Sequence, residues 1–203
     1  MGLAETSVGF ERNGYAIVAG LIDPSMTALL LAHSDALLAR GELKRGDRAV
    51  PGTPFAYGDP LFDRVLEQLR PRIETEVGRH LLPTFSYLRL YKRGDMLKRH
   101  RDRPACEFTA SLNLSQTAAE PWPLHLIGRT GPHAAVLRPG DALIYLGCEL
   151  PHWRTAFKGE RAAQVFLHYV DADGPHKAEK FDRRAALGLK PKPGSGKKVQ
   201  LRP

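Results

Sequence analysis

Between Thr84 and Gly174 the chain breaks into seven short runs rich in branched and aromatic residues: TFSYLRLYKRG, LKRHRD, EFTASLNLSQ, WPLHLIG, AAVLRPGDALIYLG, HWRTAF and RAAQVFLHYVDADG. Gly, Pro and Asp punctuate them. Runs this short read as strands, and turn residues at such intervals join neighbours into sheets. One open sheet of that size would leave a face and two edges bare. The pattern predicts a β-sandwich of about seven or eight strands, with the eight-stranded jelly roll as its closed form.

The first 80 residues have a different period. Asp23 is an N-cap candidate with Pro24 at the first helical position, and the leucines of DPSMTALLLAHSDALLARGEL recur helically until about Arg40–Gly41. A second amphipathic helix is expected over residues 60–80, perturbed at Pro71, which has no N–H to give a helix interior. Phe10 to Ile22 reads as a loop and a short strand. The expectation is an α+β fold in which a helical part, residues 1–80, packs on one sheet of a jelly-roll core over 81–172. Together they form a single domain, 1–182, followed by a basic, flexible tail over 183–203.

That tail holds most of the net charge. Of 30 Lys and Arg and 22 Asp and Glu, residues 183–203 carry seven bases and no acid, which leaves the rest nearly balanced. The segment KPKPGSGKKVQLRP has the composition of a solvated, disordered chain. A balanced body without a basic–aromatic groove argues against nucleic acid as a partner. The two cysteines, Cys106 and Cys148, make neither a disulfide framework nor a zinc pattern, which fits reduced thiols in a cytoplasmic protein. No stretch approaches the ~20 apolar residues that span a bilayer. The opening MGLAETSVGF lacks the regions of a signal peptide; it fits a loose myristoylation pattern, but no basic cluster follows to make an anchor. No membrane partner is expected, and the residues do not speak to oligomeric state.

Chemistry-bearing residues concentrate at LKRHRDRPACEF, where His100 and Asp102 stand two apart. The same His-x-Asp spacing occurs at His33 and Asp35, inside the first expected helix. On a helix such side chains diverge by about 200°, whereas on a strand they share a face. Only the later copy can converge on one ion. A third ligand is needed: two histidines and a carboxylate on one face leave open positions, an arrangement suited to non-haem Fe(II). His152, after the turn and buried strand of RPGDALIYLG, is the candidate, with His125, His133 and His168 as rivals. Arg161, nine residues after His152, opens an apolar strand; it either snorkels or pairs with an acid, or it clamps a carboxylate ligand.

The order Tyr, H-x-D, PGD, His, G-x-R in LYKRGDMLKRHRD, LRPGDALIYLGCELPHW and KGERAAQVFLHYV resembles the Fe(II)- and 2-oxoglutarate-dependent oxygenases, and more closely their prolyl-hydroxylase-like branch. The likeness covers roughly residues 85–172, and NGYAIVAGLI is similar to the opening strand of these enzymes. The resemblance implies a double-stranded β-helix core and a dioxygenase that uses Fe(II), 2-oxoglutarate and O2. It implies that His100, Asp102 and His152 bind the iron, that Arg161 grips the far carboxylate of 2-oxoglutarate, and that Tyr91 contacts the cosubstrate. In FTASLNL, Thr109, Ser111 and Asn113 form one polar face, which either lines the cosubstrate pocket or meets water. PWPLHL lacks a glycine pair frequent in the family, so the substrate rim differs, while the retained Asp102 argues against the family's halogenases.

The implied reaction is hydroxylation of a small-molecule, amino-acid or peptidyl substrate with release of succinate and CO2. Arg103 and Arg154 suit an anionic substrate, and Trp122 can wall its pocket. The competing readings are a nucleic-acid dealkylase of the same superfamily and a non-enzymatic cupin-like binding module.

Overall fold

The computed structural model describes residues 3–189, and side chains from residue 8. Residues 190–203, most of the expected tail, and the first two residues of the myristoylation pattern lie outside the described residues. Three helices, α1 (Leu3–Asn13), α2 (Pro24–Ala39) and α3 (Pro60–Val77), accompany eleven strands. The strands are β1 (Tyr15–Val18), β2 (Lys44–Arg45), β3 (Pro54–Tyr57), β4 (Leu81–Lys92), β5 (Leu97–His100), β6 (Phe108–Gln116), β7 (Leu124–Gly128), β8 (Gly131–Ala135), β9 (Ala142–Leu146), β10 (His152–Arg154) and β11 (Arg161–Asp171).

One sheet has the order β1-β9-β6-β11-β4-β3-β2 and the other β5-β10-β7-β8. Of strands β4 to β11, β4, β6, β9 and β11 lie in the larger sheet and β5, β7, β8 and β10 in the smaller, the arrangement of a double-stranded β-helix; β1, β2 and β3 extend the larger sheet at its edges. Helix α1 takes in Phe10–Asn13, the start of the segment that the sequence reads as loop and short strand, and corrects that reading there. Its apolar residues are too few to mark a period, and Phe10 holds it by stacking on Phe108.

The two longer helices start as their residues dictate. Asp23 accepts from Met26 N at 2.8 Å and Asp59 from Leu61 N at 3.0 Å, each with a proline at the next position. Helix α3 runs through Pro71 and ends at Gly78, whose φ of 69° is cheap only for glycine.

Strand alternation then sorts the large sheet into two faces. Toward the helices point Leu88 and Leu90 of β4, Phe108, Ala110, Leu112 and Leu114 of β6, and Ala163, Val165, Leu167 and Tyr169 of β11, all in the main core. Each fully buried Leu or Phe there contributes about 1.5–3 kcal/mol. The opposite face, looking at the small sheet, carries Phe85, Tyr87, Arg89 and Tyr91 of β4 together with Phe166 and His168 of β11.

The chain after β11 departs from the expected tail. Lys177–Arg183 forms a kinked 3-10 segment, and Arg184 is buried: its guanidinium donates to Asp63 at 2.6 Å and to Thr84 O at 2.8 Å. Residues 177–189 are therefore a strap packed on α3 and β4 up to its end, and the basic residues Arg183 and Arg184 belong to it.

Candidate metal centre

His100 ends β5 and His152 opens β10, and the two strands pair with these residues opposite each other. Asp102 lies two residues past His100, beyond the strand, where its N–H donates to Gly147 O at 2.8 Å. The approach is so close that a Cβ on Gly147 would stand 2.6 Å from Asp102 Oδ2 and collide with Cys106 O. The ligand atoms of His100, Asp102 and His152 fall within 4.8 Å of one another. The His100 and His152 Nε2 atoms stand 3.4 and 3.6 Å from Asp102 Oδ1.

The far side of each ring fixes what the near side offers. His100 Nδ1 lies 2.8 Å from Lys98 O and His152 Nδ1 lies 2.9 Å from Leu150 O. A carbonyl only accepts, so in the neutral rings both protons sit on Nδ1 and both Nε2 lone pairs face the carboxylate. Three acceptors thus converge in a buried space with no donor between them, which is the chemistry of a cation site.

Electrostatics agree. Burial pushes the Asp102 carboxyl up, but the neighbouring His152 and His100 outweigh it and hold it below the ordinary carboxylate range. Burial dominates at His152 and lowers it; at His100 burial also pulls down, but the adjoining Asp102 carboxylate outweighs it and raises it, so this site draws a cation, a proton or a metal ion, to the face of His100.

The rival histidines fall elsewhere. His125 stacks on Trp153 and His133 on Tyr15. His168 does reach Asp102, in a second cluster with Cys106 whose ligand atoms also lie within 4.8 Å of one another. Its Nδ1 is 3.0 Å from Thr109 Oγ1, and burial pulls it down to about 4. The earlier His-x-Asp copy diverges on α2 as a helix requires: His33 pairs with Asp59 at 2.9 Å and Asp35 with Arg161.

That last pair places Arg161, expected as the cosubstrate clamp, against a helix. Arg161 shares parity with Ala163, Val165 and Leu167, so it points to the helix side, where Asp35 neutralises it. The inward position is Ala162, packed with Tyr91, Trp122 and Phe157.

The inward cation comes from β10 instead. Arg154 is 2% exposed, lies 4.5 Å above the Trp122 ring and donates to Trp122 O at 2.8 Å and Gln164 Oε1 at 3.4 Å. Its Nε has no partner, and no carboxylate among the described residues pairs with it. Three other arginines in this part of the fold each have one: buried Arg89 has Asp47, half-buried Arg103 has Asp182 and buried Arg184 has Asp63. A buried guanidinium without a counter-ion costs several kcal/mol, about 3–5 when a buried pair is broken.

Tyr91 lies inside, its hydroxyl buried and without a partner. The polar face of β6 also points inward: Ser111 Oγ is buried and unpartnered, while Asn113 accepts from Gln164 Nε2 at 2.8 Å and donates to Leu137 O. Trp122 walls this space, with Nε1 donating to Thr155 O at 2.8 Å. Arg103 lines the cavity that also contains Tyr57, Phe85, Arg89, Tyr91 and the three ligands. Gly147, packed against Asp102, and Asp182, paired with Arg103, were not singled out in the sequence; neither carries a local signal.

No family model and no curated protein matches this sequence. Solved structures do share its fold. A prolyl-4-hydroxylase from Pseudomonas putida superposes with a TM-score of 0.66 at 20% identity, covering 82% of this chain and 98% of its own. SnoN, a non-heme α-ketoglutarate-dependent epimerase from nogalamycin biosynthesis, gives 0.73 at 20% identity, covering 93% of this chain and 92% of its own. HygX from Streptomyces hygroscopicus, solved with nickel, 2-oxoglutarate and hygromycin B, gives 0.66 at 14% identity, covering 83% and 87%. The chain has the double-stranded β-helix fold of these non-heme oxygenases.

Proposed function

We propose that this chain is an Fe(II)- and 2-oxoglutarate-dependent dioxygenase. The observation that carries the reading is the convergence of His100 Nε2, His152 Nε2 and an Asp102 carboxylate oxygen within 4.8 Å of one another, each imidazole held from behind by a backbone carbonyl. His100, Asp102 and His152 hold the iron. With O2 and 2-oxoglutarate the bound metal supplies the oxidation, giving succinate, CO2 and a hydroxylated substrate.

The protein's own residues do the rest. Lys98 O and Leu150 O hold the imidazoles in the ligating tautomer. Arg154, rather than Arg161, receives the far carboxylate of 2-oxoglutarate, which supplies the counter-ion that its burial demands. Tyr91 OH and Ser111 Oγ are free to donate to the same dicarboxylate. Trp122 keeps water from the guanidinium. The primary substrate is a small molecule or an amino-acid or peptidyl group entering by the aromatic cavity. The similar folds include an epimerase and a hydroxylase, so the pose of the substrate against the metal decides the product.

Incubation with Fe(II), 2-oxoglutarate and air tests this, with succinate measured in the absence and presence of candidate substrates. Slow uncoupled succinate formation is expected from the wild type and none from His152→Ala. No succinate from the wild type under any substrate would leave a binding module as the reading.

A further inference from the structure

We propose that Arg103 and Tyr57 form a carboxylate-recognition subsite for the primary substrate, a small carboxylic acid, and that Asp182 fills it as a built-in stand-in that the substrate displaces. The assignment of a substrate role rests on the oxygenase reading above; the geometry of the subsite does not.

The receptor is complete. Arg103 Nη1 donates to Asp182 Oδ1 at 2.7 Å and Nη2 to Oδ2 at 2.6 Å, the two-pronged fit of a guanidinium to a carboxylate. Tyr57 OH donates to Asp182 Oδ2 at 2.5 Å. Both hosts line the cavity that holds His100, Asp102 and His152, and Arg103 directly follows Asp102 in the chain. The walls are aromatic: Arg103 lies 4.8 Å over the Phe85 ring, and Tyr57 stacks on Phe85 at 4.9 Å. An acid whose carboxylate replaced that of Asp182 would have its carbon chain against Phe85, beside the metal ligands.

The present occupant is held there at a conformational cost. Phe181, Asp182 and Arg183 have φ of 59°, 49° and 64°, three successive non-glycine residues in the left-handed region. Each such residue costs about 1–2 kcal/mol, so the ion pair must offset the strain of inserting Asp182. The chain on the far side is anchored at Asp63, where Arg184 pairs and Gly188 N–H donates to Oδ2 at 2.8 Å; two bonds from Arg184, N–H and Nε to Phe181 O at 3.0 and 3.1 Å, tie the segment to that anchor and break on its release. Phe181–Arg183 can leave while that anchor stays. An anion is the fitting replacement for Asp182, because the Arg103 guanidinium is only 23% exposed and presents both prongs to the cavity.

The test uses 4-fluorobenzoate as probe, with 19F NMR titration of the full chain without added metal or 2-oxoglutarate, so a failure here is distinct from a failure to form succinate. In the wild type the tethered Asp182 competes at high effective concentration. Asp182→Ala is expected to bind the probe at least about tenfold more tightly. The gain should vanish in Asp182→Ala with Arg103→Met and persist in Asp182→Ala with Arg154→Met. If Asp182→Ala does not fold, Asp182→Asn, which keeps the shape and loses the charge, makes the same comparison. Equal affinity in wild type and variant, or a gain that survives Arg103→Met, overturns the subsite. Tighter binding of a blocked glutamyl peptide than of the free acid overturns the free-acid assignment in favour of an acidic peptide side chain.

Discussion

Arg154 follows His152 by two residues on β10, and both side chains are buried between the sheets. Two strand residues advance about 6.6 Å, close to the span of a five-carbon dicarboxylate. A keto acid chelated at the metal would therefore reach the one buried arginine here that lacks a carboxylate partner.

The two arginines should separate cleanly in 2-oxoglutarate affinity. Arg154→Met is expected to weaken binding by about 30-fold or more, since losing a buried charged partner costs 2–5 kcal/mol. Arg161→Met loses only a half-exposed pair with Asp35 and should change affinity less than about threefold. Calorimetric titration with Mn(II) in place of iron measures both; the reverse order would restore Arg161 as the clamp.

Gly147→Ala is expected to disable the centre without touching a ligand. The new methyl would stand 2.6 Å from Asp102 Oδ2, so the carboxylate must move. Metal affinity should fall about 10–100-fold, the usual effect of disturbing a ligand's support. Unchanged metal binding would show that Asp102 has slack.

How much of this was legible in the residues depended on range. The strand runs and the clustering of His100, Asp102 and His152 were readable because alternation and chain order act locally. Arg161 was singled out by its spacing from His152, which counts residues and ignores parity. Its facing was within reach, since Arg161 shares a strand face with Ala163, Val165 and Leu167, which form the helix-facing core. Asp182 was not readable: its partner Arg103 is 79 residues away and no local pattern couples them. Arg184 was counted as tail charge because a lone arginine gives no sign of a buried acid 121 residues before it.

Asp63→Ala should be among the most destabilising substitutions outside the centre. It strands Arg184, whose side chain is 0% exposed against 1% for Asp63, and removes acceptors from Ser86 and Gly188. A loss of about 3–5 kcal/mol is expected in urea unfolding. A loss below about 1 kcal/mol would mean that the strap detaches at little cost.

Acid should weaken the fold partly through Asp47. Burial alone would raise its carboxyl, but Arg89 and Tyr87 outweigh burial and hold it below the ordinary range. A depressed carboxyl stabilises the fold above its unfolded value, and the benefit is lost as pH falls through the lower folded value. Asp47→Asn should therefore be less stable than wild type near neutrality, by about 1–3 kcal/mol, and the gap should close below about pH 4. A gap that persists undiminished in acid would contradict the charge-based account.

The central claim is the iron centre, and the visible charge-transfer band of an anaerobic Fe(II)–2-oxoglutarate complex tests it most directly. The wild type should develop the band on addition of Fe(II) and 2-oxoglutarate, and His100→Ala and His152→Ala should not. A band that forms unchanged in His152→Ala would contradict the assignment of His100, Asp102 and His152 as the ligands.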